Sequence, residues 1–93
     1  MMGAASHGDL ITVARLLRSK PLQMRSWVLA RVFDEARAAS QWVSKTNTCH
    51  PVWGDGTLMS AALRRGQPPH YGLDDPEYGA CLAEVAREIG RPD

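Results

Sequence analysis

Residues 22–50 contain neither glycine nor proline. A run of that length with helical periodicity leaves room for one long helix and little else. The spacing predicts that helix over residues 21–46, with Pro21 in its first position, where the missing N–H would be unpaired anyway. At 100° per residue its main apolar stripe holds Leu22, Val28, Leu29, Val32, Phe33, Ala36, Ala39 and Val43. Arg25 falls on that stripe, and its stem is expected to lie on apolar surface while its head reaches water. A second, narrower stripe runs roughly opposite through Met24, Trp27, Ala38 and Trp42, interrupted by Arg31 and Glu35, which are four apart and can pair weakly. A helix that is apolar on two sides is normally packed on two sides, so this second helix is expected at the centre of the fold.

Three further helices follow from punctuation and periodicity. Ser6 with Asp9 three residues on resembles a capping box, and Leu10, Val13, Ala14 and Leu17 recur at helical spacing, giving a first helix over residues 7–19. Thr57 can cap a short third helix over 58–65, with Gly66 as its terminator. The Pro68-Pro69 pair forces a loop. Asp75 then caps a fourth helix that opens on Pro76, carries the stripe Tyr78, Cys81, Leu82, Val85 and Ile89, and ends at Gly90 and Pro92. No segment alternates like a strand. The expected fold is all-α, a compact four-helix domain spanning residues 1–93 with residues 1–6 disordered.

Composition narrows the functional classes. A chain of 93 residues supports one modest core and a net stability on the order of 5–10 kcal/mol. Residues 1–65 carry nine Lys and Arg against four Asp and Glu, and residues 66–93 carry two against six. The plain reading is an acidic tail folded back on a basic body. Residues 1–6 lack the basic and apolar regions of a secretory signal, and no apolar run approaches membrane-spanning length. Two cysteines make no disulfide framework. These features lead us to expect a cytoplasmic chain with reduced thiols, no membrane partner and no cofactor.

The sharpest departure from helical composition is the break Cys49-His50-Pro51-Val52-Trp53-Gly54-Asp55-Gly56-Thr57. Pro51 pushes His50 into an extended conformation, Gly54 and Gly56 permit positive φ, Trp53 can anchor the reversal against the core, and Thr57 restarts the helix. The structural reading is a tight interhelical turn. The functional alternative is an anion site at the start of the third helix, but the stretch lacks the lysine and the length of a P-loop, and Asp55 would repel an anion.

The stretch His50-Pro51-x-Trp53-Gly54-x-Gly56-Thr57-Leu58-Met59 also resembles a small family of uncharacterised alphaproteobacterial proteins of about this length. In them a similar stretch precedes a segment like Asp74-Asp75-Pro76-Glu77-Tyr78-x-x-Cys81-Leu82. The resemblance covers most of the chain from the first helix onward. It implies a domain of unknown function and carries over no catalytic residue.

Other chemistries find thin support. No Cys-x-x-Cys or His-x-x-x-His pair seeds a metal site, and Cys81 on an apolar stripe reads as a small core residue. Adjacent Cys49 and His50 do not make a catalytic dyad, because neighbouring side chains usually point apart. No enzymatic activity is expected. A nucleic-acid-binding module is an alternative, using Arg15, Arg18, Lys20 and Arg25 around the junction of the first two helices. The favoured expectation is an interaction or regulatory module in which Met24, Trp27 and Trp42 bind a protein partner or a second copy of the chain, since such residues concentrate at interface hot spots.

Overall fold

The computed structural model describes residues 5–91. Among the described residues, four α-helices make up the fold: α1 (His7–Arg18), α2 (Arg25–Thr46), α3 (Leu58–Leu63) and α4 (Pro76–Ile89). No named strand occurs among the described residues. The radius of gyration, 12.9 Å, is near the roughly 12 Å of a compact chain this long. The all-α expectation therefore holds. The expected disorder of residues 1–6 falls, for residues 1–4, outside the described residues, while Ser6 is the N-cap of α1.

Local chemistry explains the helix starts. Ser6 Oγ accepts from Asp9 N (3.1 Å), and Asp9 Oδ2 accepts from Ser6 N (2.8 Å), a complete capping box. Thr57 Oγ1 accepts from Ser60 N (3.1 Å) and Asp75 Oδ1 from Tyr78 N (3.0 Å), with Pro76 opening α4 as expected. The long helix starts later than its spacing predicts. Pro21 caps a single 3-10 turn, Leu22–Met24, and α2 begins at Arg25. It ends at Asn47 in the left-handed conformation (φ 57°), which donates its N–H to the Val43 carbonyl (2.8 Å).

One core unites Val13, Leu16 and Leu17 of α1, Val28, Leu29, Val32, Phe33 and Ala36 of α2, Leu58, Ala61 and Ala62 of α3, and Tyr78, Cys81 and Val85 of α4. The central place expected of the second helix belongs to α1, which packs on α2, α3 and α4. The reason lies in three polar residues. Asp9, Thr12 and Arg15 look like a solvent face in the sequence but are buried, so α1 is enclosed on nearly all sides. The second apolar stripe of α2, by contrast, stays on the surface.

The acidic tail does fold onto the basic body. Arg18 lies 3.1 Å from Asp75 and 3.5 Å from Glu77, and Arg25 lies 3.1 Å from Glu77. Arg18 also sits over the ring of Tyr71 (5.0 Å). The Arg18 guanidinium bonded to the Asp75 carboxylate holds that carboxyl below its ordinary range, helped by the Tyr78 N–H.

The outward face of α2 and the turn that flanks it

The reversal after α2 is built around His50. Its backbone pairs with Gly54 in both directions, His50 N to Gly54 O at 2.7 Å and Gly54 N to His50 O at 3.1 Å. Inside that loop His50 Nδ1 accepts the N–H groups of Val52 (3.0 Å) and Trp53 (3.1 Å). An Nδ1 that accepts leaves Nε2 as the protonated nitrogen of the neutral ring. The imidazole stacks on Trp53 (4.7 Å, 11°) and meets the edge of Trp42 (5.1 Å, 70°). Trp53 therefore anchors the turn as expected, but on His50 and, through it, on α2. It is not part of the hydrophobic core.

Gly54 and Gly56 both have positive φ, 84° and 95°. Gly56 also presses on α2, since a Cβ there would lie 2.8 Å from Ser40 Cα. Gly66, with φ 113°, has nothing within 4 Å of the same atom. Gly56→Ala therefore carries both backbone strain and a collision with a helix backbone that cannot yield, and is expected to cost about 2 kcal/mol. Gly66→Ala carries strain alone, about 1 kcal/mol. Urea denaturation of the two variants side by side measures the difference.

The turn is poorly suited to anions. Asp55 Oδ1 accepts from Thr57 N (3.0 Å), Thr57 Oγ1 (2.7 Å) and Ser60 Oγ (2.8 Å). These donors, the Thr57 hydroxyl first, hold the Asp55 carboxyl below its ordinary range. A carboxylate thus occupies the end of α3 that an anion would seek.

The face beside this turn carries Met24, Trp27 and Trp42, with 43%, 55% and 40% of their surface open to water. Met24 lies at the end of the 3-10 turn, and Trp27 and Trp42 lie about 22 Å apart along α2. The structure does not bring the two indoles into one cluster. Trp42 leans on His50, while the Arg65 guanidinium lies 5.9 Å from the centre of the Trp27 ring. Arg65 is fixed by Glu35, whose carboxylate lies 2.6 Å from its Nη2 and 3.6 Å from Arg31. Sequence reading paired Glu35 with Arg31 and missed Arg65, thirty positions away in the chain. The Nε of Arg65 is buried without a partner.

Between the turn and α3 lies a depression of about 330 Å³ lined by His50, Pro51, Val52, Gly54, Ser60, Leu63 and Arg64. Val52 and Leu63 there are exposed aliphatic residues that the sequence reading did not single out. Only the docking of α3 beside the turn brings them together.

The basic junction is arranged differently from the nucleic-acid alternative. Arg15 is buried and gives its Nε to the Pro69 carbonyl (2.9 Å) and its Nη2 to that of Pro68. Arg18 is taken by Asp75 and Glu77. Arg25 does not send its head to water. It is buried, donating Nε to the carbonyls of Leu17 (3.0 Å) and Lys20 (3.1 Å) and Nη2 to the Arg18 carbonyl (3.4 Å) and to Glu77 (3.1 Å). The head turns inward because the last carbonyls of α1 need donors more than a guanidinium needs water. Of the four, only Lys20 is not drawn into such a network by a contact seen here.

Cys49 is exposed and Cys81 buried, both as free thiols, and burial pushes the Cys81 thiol up. Among the described residues no three His, Cys, Asp or Glu side chains gather where they could hold a metal ion. Among the same residues no helix is long and apolar enough to cross a membrane.

Neither a curated protein nor a solved structure matches the chain. Residues 4–89 match the family model described as a domain of unknown function (DUF7742), and the chain belongs to that family.

Proposed function

We propose that this domain is a non-enzymatic protein-interaction or regulatory module whose contact surface is the outward face of α2. The observation that carries this reading is the exposure of Trp27 and Trp42 on one side of α2, with Met24 in the turn before it, while the other side of the helix is core. Large aromatics left half open on so small a domain represent apolar burial that the fold itself does not collect. The internal use of Arg15, Arg18 and Arg25 supports the same reading by removing the main cations of a nucleic-acid surface. A non-enzymatic role is supported by His50, the imidazole next to the exposed thiol, which spends its Nδ1 on the backbone of its own turn. The proposal includes a cytoplasmic setting, supported by the two free cysteines. It also includes the narrower kinship with alphaproteobacterial proteins, supported by the stretch from His50 to Met59 and the segment from Asp74 to Leu82.

Trp27→Ala tests the reading most cleanly, because Trp27 lies outside the hydrophobic core and is more than half exposed. The variant is expected to keep its helicity by circular dichroism and to lose about 1 kcal/mol of stability or less. It is also expected to lose proteins, or a second copy, that the wild type retains in affinity capture. A captured set that neither Trp27→Ala nor Trp42→Ala changes from that of the wild type would sink the reading. Should Trp27→Ala unfold, Met24→Gln at the rim of the same face asks the question again.

A further inference from the structure

The charges that frame the exposed face deepen this reading by naming its partner's chemistry. Helical spacing puts Trp27, Arg31, Ala38, Trp42 and Lys45 on one side of α2. The end of α3 adds Arg65 over Trp27, and Arg64 stands in the wall of the Val52–Leu63 depression that meets the face through His50. The depression reaches His50, and His50 touches Trp42, so the depression adjoins the Trp42 end of this helix face.

The carboxylates near this surface are already spent. Glu35 is buried between Arg31 and Arg65, Asp34 holds Arg37, and Asp55 is tied to Thr57 and Ser60. The face therefore carries an indole towards each end, with Arg31 between them, Lys45 beyond Trp42 and Arg65 against Trp27. The chain's own acidic helix is a poor complement. Its Asp75 and Glu77 are paired with Arg18 and Arg25, and its Glu88 with Arg91.

We propose that this face binds an acidic amphipathic helix of a partner protein. Apolar side chains of that helix rest on Trp27, Trp42 and the depression, while its carboxylates face Lys45, Arg64 and Arg31. The proposal rests on the interaction-module reading above. A helix of about 14 residues spans the roughly 22 Å between the indoles, and its apolar positions recur at i, i+3, i+4 and i+7. Opposite charge around an apolar contact sets both orientation and choice of partner.

The test is fluorescence anisotropy with two fluorescein-labelled peptide pools of about 14 residues. Both pools carry mixed Leu, Ile, Phe and Met at the helical apolar positions. One carries Glu and Asp elsewhere, and the other carries Lys. A single-stranded oligonucleotide and the protein alone, run in sedimentation, complete the set. The acidic pool is expected to bind at least about tenfold more tightly than the lysine pool. The double variant Lys45→Glu, Arg64→Glu is expected to reverse that order with helicity intact. If the reversed pair fails to fold, Lys45→Gln with Arg64→Gln is expected to reduce acidic-pool binding by about threefold.

Equal binding of the two pools, or binding of neither, overturns the acidic partner. The interaction reading still stands in either case if Trp27→Ala changes what is captured. Preferential, salt-steep binding of the oligonucleotide overturns it in favour of nucleic acid. A stable dimer that the acidic pool does not dissociate overturns it in favour of a second copy.

Discussion

Arg25→Ala is expected to lower the stability of this domain by about 3 kcal/mol, a large share of the total for so small a core. Arg25 is 7% exposed and stands where α1 ends and α2 begins. Its guanidinium donates to three carbonyls at the end of α1 and to Glu77 at the start of α4. One side chain thus ties three helices together and neutralises the negative end of α1. Truncation removes a donor from the part-buried Arg18 and Lys20 carbonyls, each costing about 1–3 kcal/mol if unsatisfied, and opens a gap beside Leu17 O, which keeps the Lys20 N–H (3.0 Å). Glu77 is more than half exposed, so its loss adds little. Arg25→Lys is expected to recover less than half of the loss, because an ammonium cannot fork to the same set of acceptors. Chemical denaturation of both variants measures this. A loss under about 1 kcal/mol for Arg25→Ala would show that water takes over the carbonyls and that the junction does not depend on the guanidinium.

The contrast between Arg25 and the helix caps shows what was legible in the sequence. Capping is local chemistry: Ser6 with Asp9, Thr57 with Ser60, and Asp75 with Tyr78 all act within three residues, and each was visible as a pattern. The stripe of α4 was equally legible, since Tyr78, Cys81 and Val85 need only a helix and a core to face. What failed was inference from polarity and from two-sidedness. Arg15 and Arg25 read as surface cations because the carbonyls they serve lie in other segments. The second stripe of α2 read as a second packing face because nothing in periodicity distinguishes a covered indole from an open one. The chain had already enclosed α1 with α2, α3 and α4, leaving no element to cover Trp27.

The candidate surface was legible in part for the same reason. Met24, Trp27 and Trp42 stood out by residue type and helical position, both local properties. Val52 and Leu63, which line the depression beside His50, did not, because their neighbourhood exists only once Gly56 lets the turn close on Ser40 and α3 docks beside it. The cations that α3 contributes have the same origin. Arg65 comes over Trp27 only because Glu35 holds it there.

Asp9→Ala is expected to have the other large effect, again about 3 kcal/mol, through a device of the same kind at the opposite end of α1. Asp9 is 5% exposed. Its Oδ2 accepts from Ser6 N (2.8 Å), closing the capping box, and its Oδ1 accepts from Met59 N (2.9 Å), in the first turn of α3. A single carboxylate therefore caps two helix N-termini, and both positive helix ends favour its charge. Alanine frees two backbone donors, one in a short helix of six residues that cannot stand without its packing. Charge-assisted bonds of this kind contribute about 1.5–3 kcal/mol each, and the two share one charge, so the sum is less than twice one. Asp9→Asn keeps an acceptor for only one of the two donors and is expected to lose about half as much. Denaturation gives the total, and amide exchange apportions it. The Met59 N–H is expected to lose protection in both variants, together with the first turn of α3. If Met59 exchange is unchanged while stability falls, the carboxylate acts through α1 alone. The joint between α1 and α3, and with it the seat of Leu63 and Arg64 on the outward face, would then rest on the packing of Leu58, Ala61 and Ala62.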